Sequence, residues 1–138
     1  MTSLADQPGP SARTDVAQHF LDCLAVQDFD GLGADLADDV HLRALLPGDT
    51  REWSGPDRVK ATFIRWFGNT EEFELVEASV DDLGSRVHMS WQARVRADRL
   101  GEGWFRVEQH AYVETDDHDR IRHIWLACSG YLAETPSG

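Results

Sequence analysis

The sequence predicts an α+β domain in which a curved antiparallel or mixed β-sheet is wrapped by three helices from the N-terminal half. The product is a cone with an internal pocket. Three observations predict it. Residues 86–128 carry three strand patterns in succession, separated by short polar connections. The first half instead carries apolar residues at three- and four-residue spacing, the mark of amphipathic helices. With 138 residues, 41% of them apolar, the chain can bury one core without disulfide staples.

The first element is expected from Thr14 or Asp15 to Val26, where Val16, Ala17, Phe20, Cys23 and Leu24 share a face and Thr14 or Asp15 serves as cap. A short second helix is expected over Asp30–Leu36 with Phe29, Leu32 and Leu36 buried, although Gly31 and Gly33 weaken it. Val40–Leu46 reads as a strand ended by the turn signal Pro47-Gly48-Asp49. Ser54-Gly55-Pro56-Asp57 opens a third helix, with proline in the first turn, where its missing amide costs nothing. Its stripe is Val59, Phe63, Trp66 and Phe67, and Gly68-Asn69 stops it. Glu72–Val80 is a further strand. In the meander, Val87, Met89, Trp91, Ala93 and Val95 alternate with His88, Ser90, Gln92, Arg94 and Arg96; Phe105, Val107, Gln109, Ala111 and Val113 alternate with Arg106, Glu108, His110, Tyr112 and Glu114. Such alternation marks strands with one face buried and one solvated. Ile121–Cys128 closes the set. Residues 1–13 read as a loose arm, 14–133 as one domain and 134–138 as a tail.

Composition narrows the function classes. Thirteen basic against 25 acidic residues give a net charge of −12, which repels phosphate backbones and anionic membranes, so neither nucleic acid nor membrane is expected as a partner. Arg94, Arg96 and Arg99 alternate with apolar residues or flank a turn and read as a solvated face. No cationic-then-apolar leader is visible, and the two cysteines, Cys23 and Cys128, sit inside apolar patterns without metal spacing. Both features fit a reducing cytoplasm. Asp116-Asp117-His118-Asp119 lacks the spacing and distal glutamate of a calcium loop, so no metal is expected. No cofactor motif is present.

The order of elements resembles the nuclear transport factor 2-like superfamily, which includes ketosteroid isomerases, SnoaL-like polyketide cyclases, dehydratases and non-catalytic binding domains. The resemblance rests on Leu36-Ala37-Asp38-Asp39-Val40 before the first strand, Ser54-Gly55 opening helix three, and Asp119-Arg120-Ile121-Arg122-His123-Ile124 in the last hairpin. It spans roughly Val16 to Leu132 and implies the fold, not an activity. Ketosteroid isomerases use a tyrosine, a protonated aspartic acid and a proton-shuttling aspartate. The resemblance places Phe20, Ala111 and Ala44 at those positions, none of which can donate a hydrogen bond or carry a proton. It therefore implies that isomerase chemistry of that kind is missing. No inward aspartate in the meander matches the acid–base aspartate of SnoaL-like cyclases either.

The expected pocket wall is Phe20, Leu42, Ala44, Phe63, Met89, Trp91, Val107, Gln109, Ala111 and Cys128. Gln109 is its main polar group: either an anchor for a ligand carbonyl or hydroxyl, or a buried amide tied to backbone or water. Cys128 lacks a neighbouring base or cation and reads as a small core hydrophobe. His41, Arg43, His88 and His110, with Trp104 and Tyr112, are expected on the outer face, which suits a homodimer. One β-bulge would swap that assignment and turn His110, or His41 and Arg43, toward the pocket, where a histidine can serve as acid–base. Three readings follow. The first is a protein binding a small apolar or aromatic ligand. The second is a cyclase, isomerase or dehydratase working through His110 or a Gln109-held water, and the third is a dimeric interaction module whose cone is simply core.

Overall fold

The computed structural model of the chain describes residues 12–134; most of the expected arm and all but Glu134 of the expected tail lie outside the described residues. Helices α1 (Ala12–Ala25), α2 (Phe29–Ala34) and α3 (Pro56–Phe67) accompany strands β1 (Leu36–Leu46), β2 (Asp49–Ser54), β3 (Glu72–Asp82), β4 (Val87–Arg96), β5 (Phe105–Thr115), β6 (Ile121–Cys128) and β7 (Leu132–Ala133). The sheet runs β2-β1-β6-β5-β4-β3, with β7 extending along β5. All pairings are antiparallel except β1 with β6. The sheet is thus mixed and curved, as expected, and it is open. Helix α1 covers β3, β4 and β5, and α3 packs against β1 and β2.

Local chemistry sets the boundaries. Helix α1 begins at Ala12 and so takes two residues of the expected arm, and its buried face adds Leu21 to Ala17, Phe20, Cys23 and Leu24. The second helix ends at Ala34 rather than Leu36. Leu36 instead pairs with Ile121 across the parallel ladder, and the Ile121 amide donates to the Asp35 carbonyl. The Asp28 side chain caps α2 by accepting from the Gly31 amide. Helix α3 starts at Pro56 behind Gly55, whose φ of 91° and ψ of 147° fall in a region that glycine alone occupies readily.

Strand β2 had no signal in the sequence. Its residues, Asp49 to Ser54, are polar and exposed apart from half-buried Trp53, because β2 is an edge strand. The two-residue turn Pro47-Gly48 folds it back onto β1, with Leu46 opposite Asp49. Gly48 has a φ of 74°, which suits the second central position of such a turn after proline.

Bulges do occur, but none turns His110, His41 or Arg43 inward. They interrupt β1 between Leu36 and His41, β3 between Leu75 and Glu77, and β6 between Ile121 and His123, opposite Thr115 and Glu114. Beyond each bulge the alternation resumes, with Val40, Leu42 and Ala44 inward on β1 and Val107, Gln109, Ala111 and Val113 inward on β5.

Candidate functional site

Eight of the ten expected wall residues lie in one continuous hydrophobic core and Gln109 is buried as well; Cys128 is half-buried against the core's edge. The strands place three of them in a row. Trp91 on β4 lies opposite Gln109 on β5, and Gln109 lies opposite Cys128 on β6. The remaining wall is apolar, with Phe20 and Phe63 in an edge-to-face contact at 5.2 Å. Two side chains of the described core are polar, and they differ. Thr62 donates its hydroxyl to the Arg58 carbonyl, the usual way for a helical threonine to satisfy itself. Gln109 is 1% exposed and its Oε1 has no hydrogen-bond partner; Trp91, also 1% exposed, has an unpartnered indole Nε1.

Side chains close the cone. The end near Cys128 is shut by a kink at Gly130, which has a φ of 80° and lies so close to Pro47 that a Cβ would meet the proline ring at 2.8 Å. The kink turns Tyr131 inward. Its phenol and the Arg99 guanidinium both donate to the Trp66 carbonyl, one of the last carbonyls of α3, which the helix itself leaves unpaired. Burial pushes the Tyr131 phenol up, so it stays a neutral donor. Trp66 in turn packs edge-to-face on Phe63 at 5.2 Å and on Trp53 at 5.9 Å. Trp53 therefore belongs to this closure. The Gly130 amide donates to Cys128 Sγ at 3.3 Å, leaving the thiol as a weak acceptor beside the closure.

His110 faces outward. Its Nε2 lies 2.8 Å from Glu108 Oε2 and its Nδ1 3.4 Å from His88 Nε2, with the two rings stacked. The bond from His110 holds the Glu108 carboxyl below the usual range. An acid–base role for His110 would thus have to act on the outer face, not in the cone. That face also carries His41, bonded to Ser54 and Glu52, and His123, stacked on Trp125 beneath Arg86. The Arg94 guanidinium lies over Trp104. A cleft of about 350 Å³ opens there, lined by Arg43, Leu45, Thr50, His110, Tyr112, Trp125, Leu126 and Ala127.

A third group escaped the sequence reading. His19 Nδ1 lies 2.6 Å from Asp35 Oδ2, and Cys23 Sγ lies 3.6 Å from His19 Nε2. These residue types suggest a thiol, base and carboxylate relay. The geometry argues otherwise, since Sγ is also 3.9 Å from Nδ1 and near-equal distances to the two nitrogens put the sulfur off the lone-pair axis of either. Burial and the charges of Asp28, Asp35 and Asp22 push the thiol up, away from the reactive thiolate. His19 is raised by its hydrogen bond to Asp35 and by that carboxylate's charge. Burial pushes Asp35 itself up, while His19 pulls it down. The only signal in the sequence was the four-residue spacing of His19 and Cys23, which puts them on one helix face.

The SnoaL-like domain profile matches residues 17–124, most of the chain. This chain belongs to the SnoaL-like family. No curated protein matches it in sequence. Among solved structures, Bal32a from a soil-derived mobile gene cassette superposes with a TM-score of 0.71 at 15% identity, covering 88% of this chain and 92% of that one. A candidate polyketide cyclase from Xanthomonas campestris pv. campestris gives 0.66 at 20% identity, with 86% and 90% covered. An epoxide hydrolase of the LEH-like type from M. tuberculosis gives 0.62 at 21%, with 88% and 86% covered. At these identities the SnoaL-like likeness is one of fold.

Proposed function

We propose that this SnoaL-like protein holds a small apolar or aromatic molecule inside the cone, with Gln109 as the polar anchor and without the ketosteroid isomerase residues. The observation that carries the reading is the unpartnered Oε1 of Gln109 in an otherwise apolar wall. Buried polar atoms almost always find a partner, and a ligand polar group would supply one. The wall residues are packed together with almost no exposure, so a ligand enters by displacing side chains at the Tyr131 and Trp66 end. A flat, nearly neutral molecule with one carbonyl or hydroxyl fits such a wall. A strongly charged one does not, because the described core holds no buried counter-charge.

The test is a thermal-shift screen followed by calorimetric titration of the best ligand into wild type, Gln109→Leu and His110→Ala. Gln109→Leu should weaken binding by about 1–3 kcal/mol, the penalty of leaving a ligand polar group unpaired. His110→Ala should bind as wild type does. Full affinity in Gln109→Leu together with loss in His110→Ala would move the site to the outer face and favour the histidine-based enzyme.

A second reading, compatible with the first, is a homodimer through the outer sheet face. It rests on the exposure of Leu45 and Tyr112 beside the outer cleft. Light scattering should give twice the chain mass at micromolar concentration, and Tyr112→Glu should shift the protein toward monomer. A monomeric wild type would end this reading.

A further inference from the structure

We infer that Trp91 and Gln109 together form a donor–acceptor clamp that selects a hydroxyl-bearing ligand over a carbonyl-bearing one. This inference rests on the reading of the cone as a binding site and sharpens the chemistry of its occupant.

The two residues face each other across β4 and β5, and both side chains point into the core. Opposite residues on antiparallel strands sit about 4.5–5.5 Å apart at their Cα atoms, so the two side chains leave the sheet side by side on its inner face. Trp91 Nε1 and Gln109 Oε1 are both buried and both without a partner. Their demands are opposite in kind. An indole nitrogen only donates, and an amide oxygen only accepts. One group that satisfies both must accept from Trp91 and donate to Gln109 at the same time.

That requirement eliminates most polar functions. A ketone, ester or ether accepts from Trp91 but leaves Gln109 Oε1 unpaired. An ammonium donates to Gln109 but leaves the indole unpaired and buries a charge. A carboxylate cannot donate, and its charge would lie among Phe20, Phe63, Met89 and Ala111 with no buried cation in the described core. A neutral hydroxyl does both with a single oxygen. Cys128, the third member of the row, is a soft and weakly polar neighbour that satisfies neither atom. Sites built to hydrogen-bond a hydroxyl discriminate strongly against analogues that lack it, because the site's own polar groups are then stranded.

The experiment uses the full chain, ¹⁵N-labelled at tryptophan, titrated with 2-naphthol, 2-methoxynaphthalene and naphthalene. These probes share a flat apolar body and differ in whether they donate and accept, only accept, or do neither. The Trp91 indole resonance is assigned by its loss in Trp91→Phe, a substitution that keeps an aromatic ring in the wall. In wild type, 2-naphthol should bind at least roughly tenfold more tightly than either analogue, the equivalent of one good hydrogen bond. Only 2-naphthol should move the Trp91 indole resonance downfield. In Gln109→Leu and in Trp91→Phe the preference should fall to about twofold or less.

Equal affinity for all three probes, with core resonances shifting and the indole still, would overturn the clamp while leaving the cone as a binding site. Binding by none of them would overturn both readings. A water giving a persistent cross-peak to the Trp91 indole proton, undisplaced by 2-naphthol, would also overturn the clamp, since the two atoms would then already be satisfied.

Discussion

Replacing Gln109 by leucine should make the ligand-free protein more stable, not less. The side chain is 1% exposed and its Oε1 has no partner. An unsatisfied carbonyl kept from water costs about 1–3 kcal/mol, and Gln109→Leu removes that cost without breaking a bond at this oxygen. Leucine also adds apolar surface to an otherwise hydrophobic core. Against this stands a change from an unbranched to a branched side chain in a packed core, which costs up to about 1.5 kcal/mol. The net expectation is a gain of about 1–2 kcal/mol, or about 3–8 °C in Tm for a domain of this size. Urea denaturation followed by tryptophan fluorescence would show a raised midpoint with an unchanged slope. Trp91→Phe and the double variant complete a cycle, and near-additivity would show that the two orphaned atoms do not share a partner. If Gln109→Leu instead lowers stability by about 1 kcal/mol or more, and the cycle shows coupling, the amide is already bonded in the free protein. Gln109 Oε1 would then not be free to anchor a ligand. The expected pattern, a gain in stability with a loss of binding, is the usual trade-off at a functional polar group in a core.

The remaining predictions concern chemistry, backbone and charge. Where the resemblance sets Phe20, Ala44 and Ala111 at the isomerase positions, all three buried, turnover of a β,γ-unsaturated ketosteroid should be undetectable, since loss of a general base alone would cost a factor of roughly 10²–10⁴; isomerase-like rates would show that this placement is wrong or that another acid–base group is at work. Gly55→Ala has open space for its Cβ but keeps a φ of 91°, so it should lower stability by about 1–3 kcal/mol through strain at the start of α3. An unchanged denaturation midpoint would mean that the turn relaxes. His19 is raised above 6.5 by Asp35, so its contribution is fully present below that value and is lost as pH rises through the higher folded-state value. His19→Ala should therefore cost most near pH 6 and least near pH 9, by about 0.2–1 kcal/mol because the imidazole is half exposed. A cost that is flat across that range would mean that the pair is not ionic.

Much of this protein was legible in its sequence because the governing signals are local. A period of two tells which face of a strand is buried, so the inward set on β4 and β5, and the outward place of His41, Arg43, His88 and His110, follow from residues next to one another. The apolar stripe of α3 and its Gly55-Pro56 opening are equally local. Other features have no local signature. Strand β2 is polar because an edge strand gains from pairing and not from burial, so no alternation betrays it. The closure by Tyr131 and Arg99 depends on where the last carbonyls of α3 land, 65 and 33 residues away along the chain. Asp35 meets His19 only because α2 folds back on α1. The row of Trp91, Gln109 and Cys128 is the plainest case. Alternation predicts that each residue points inward, but which residues stand opposite one another depends on the register between strands. Register is set by turns, bulges and packing summed over the whole sheet. The faces of the strands are therefore a property of the sequence, while the meeting of one stranded donor with one stranded acceptor exists only in the folded chain.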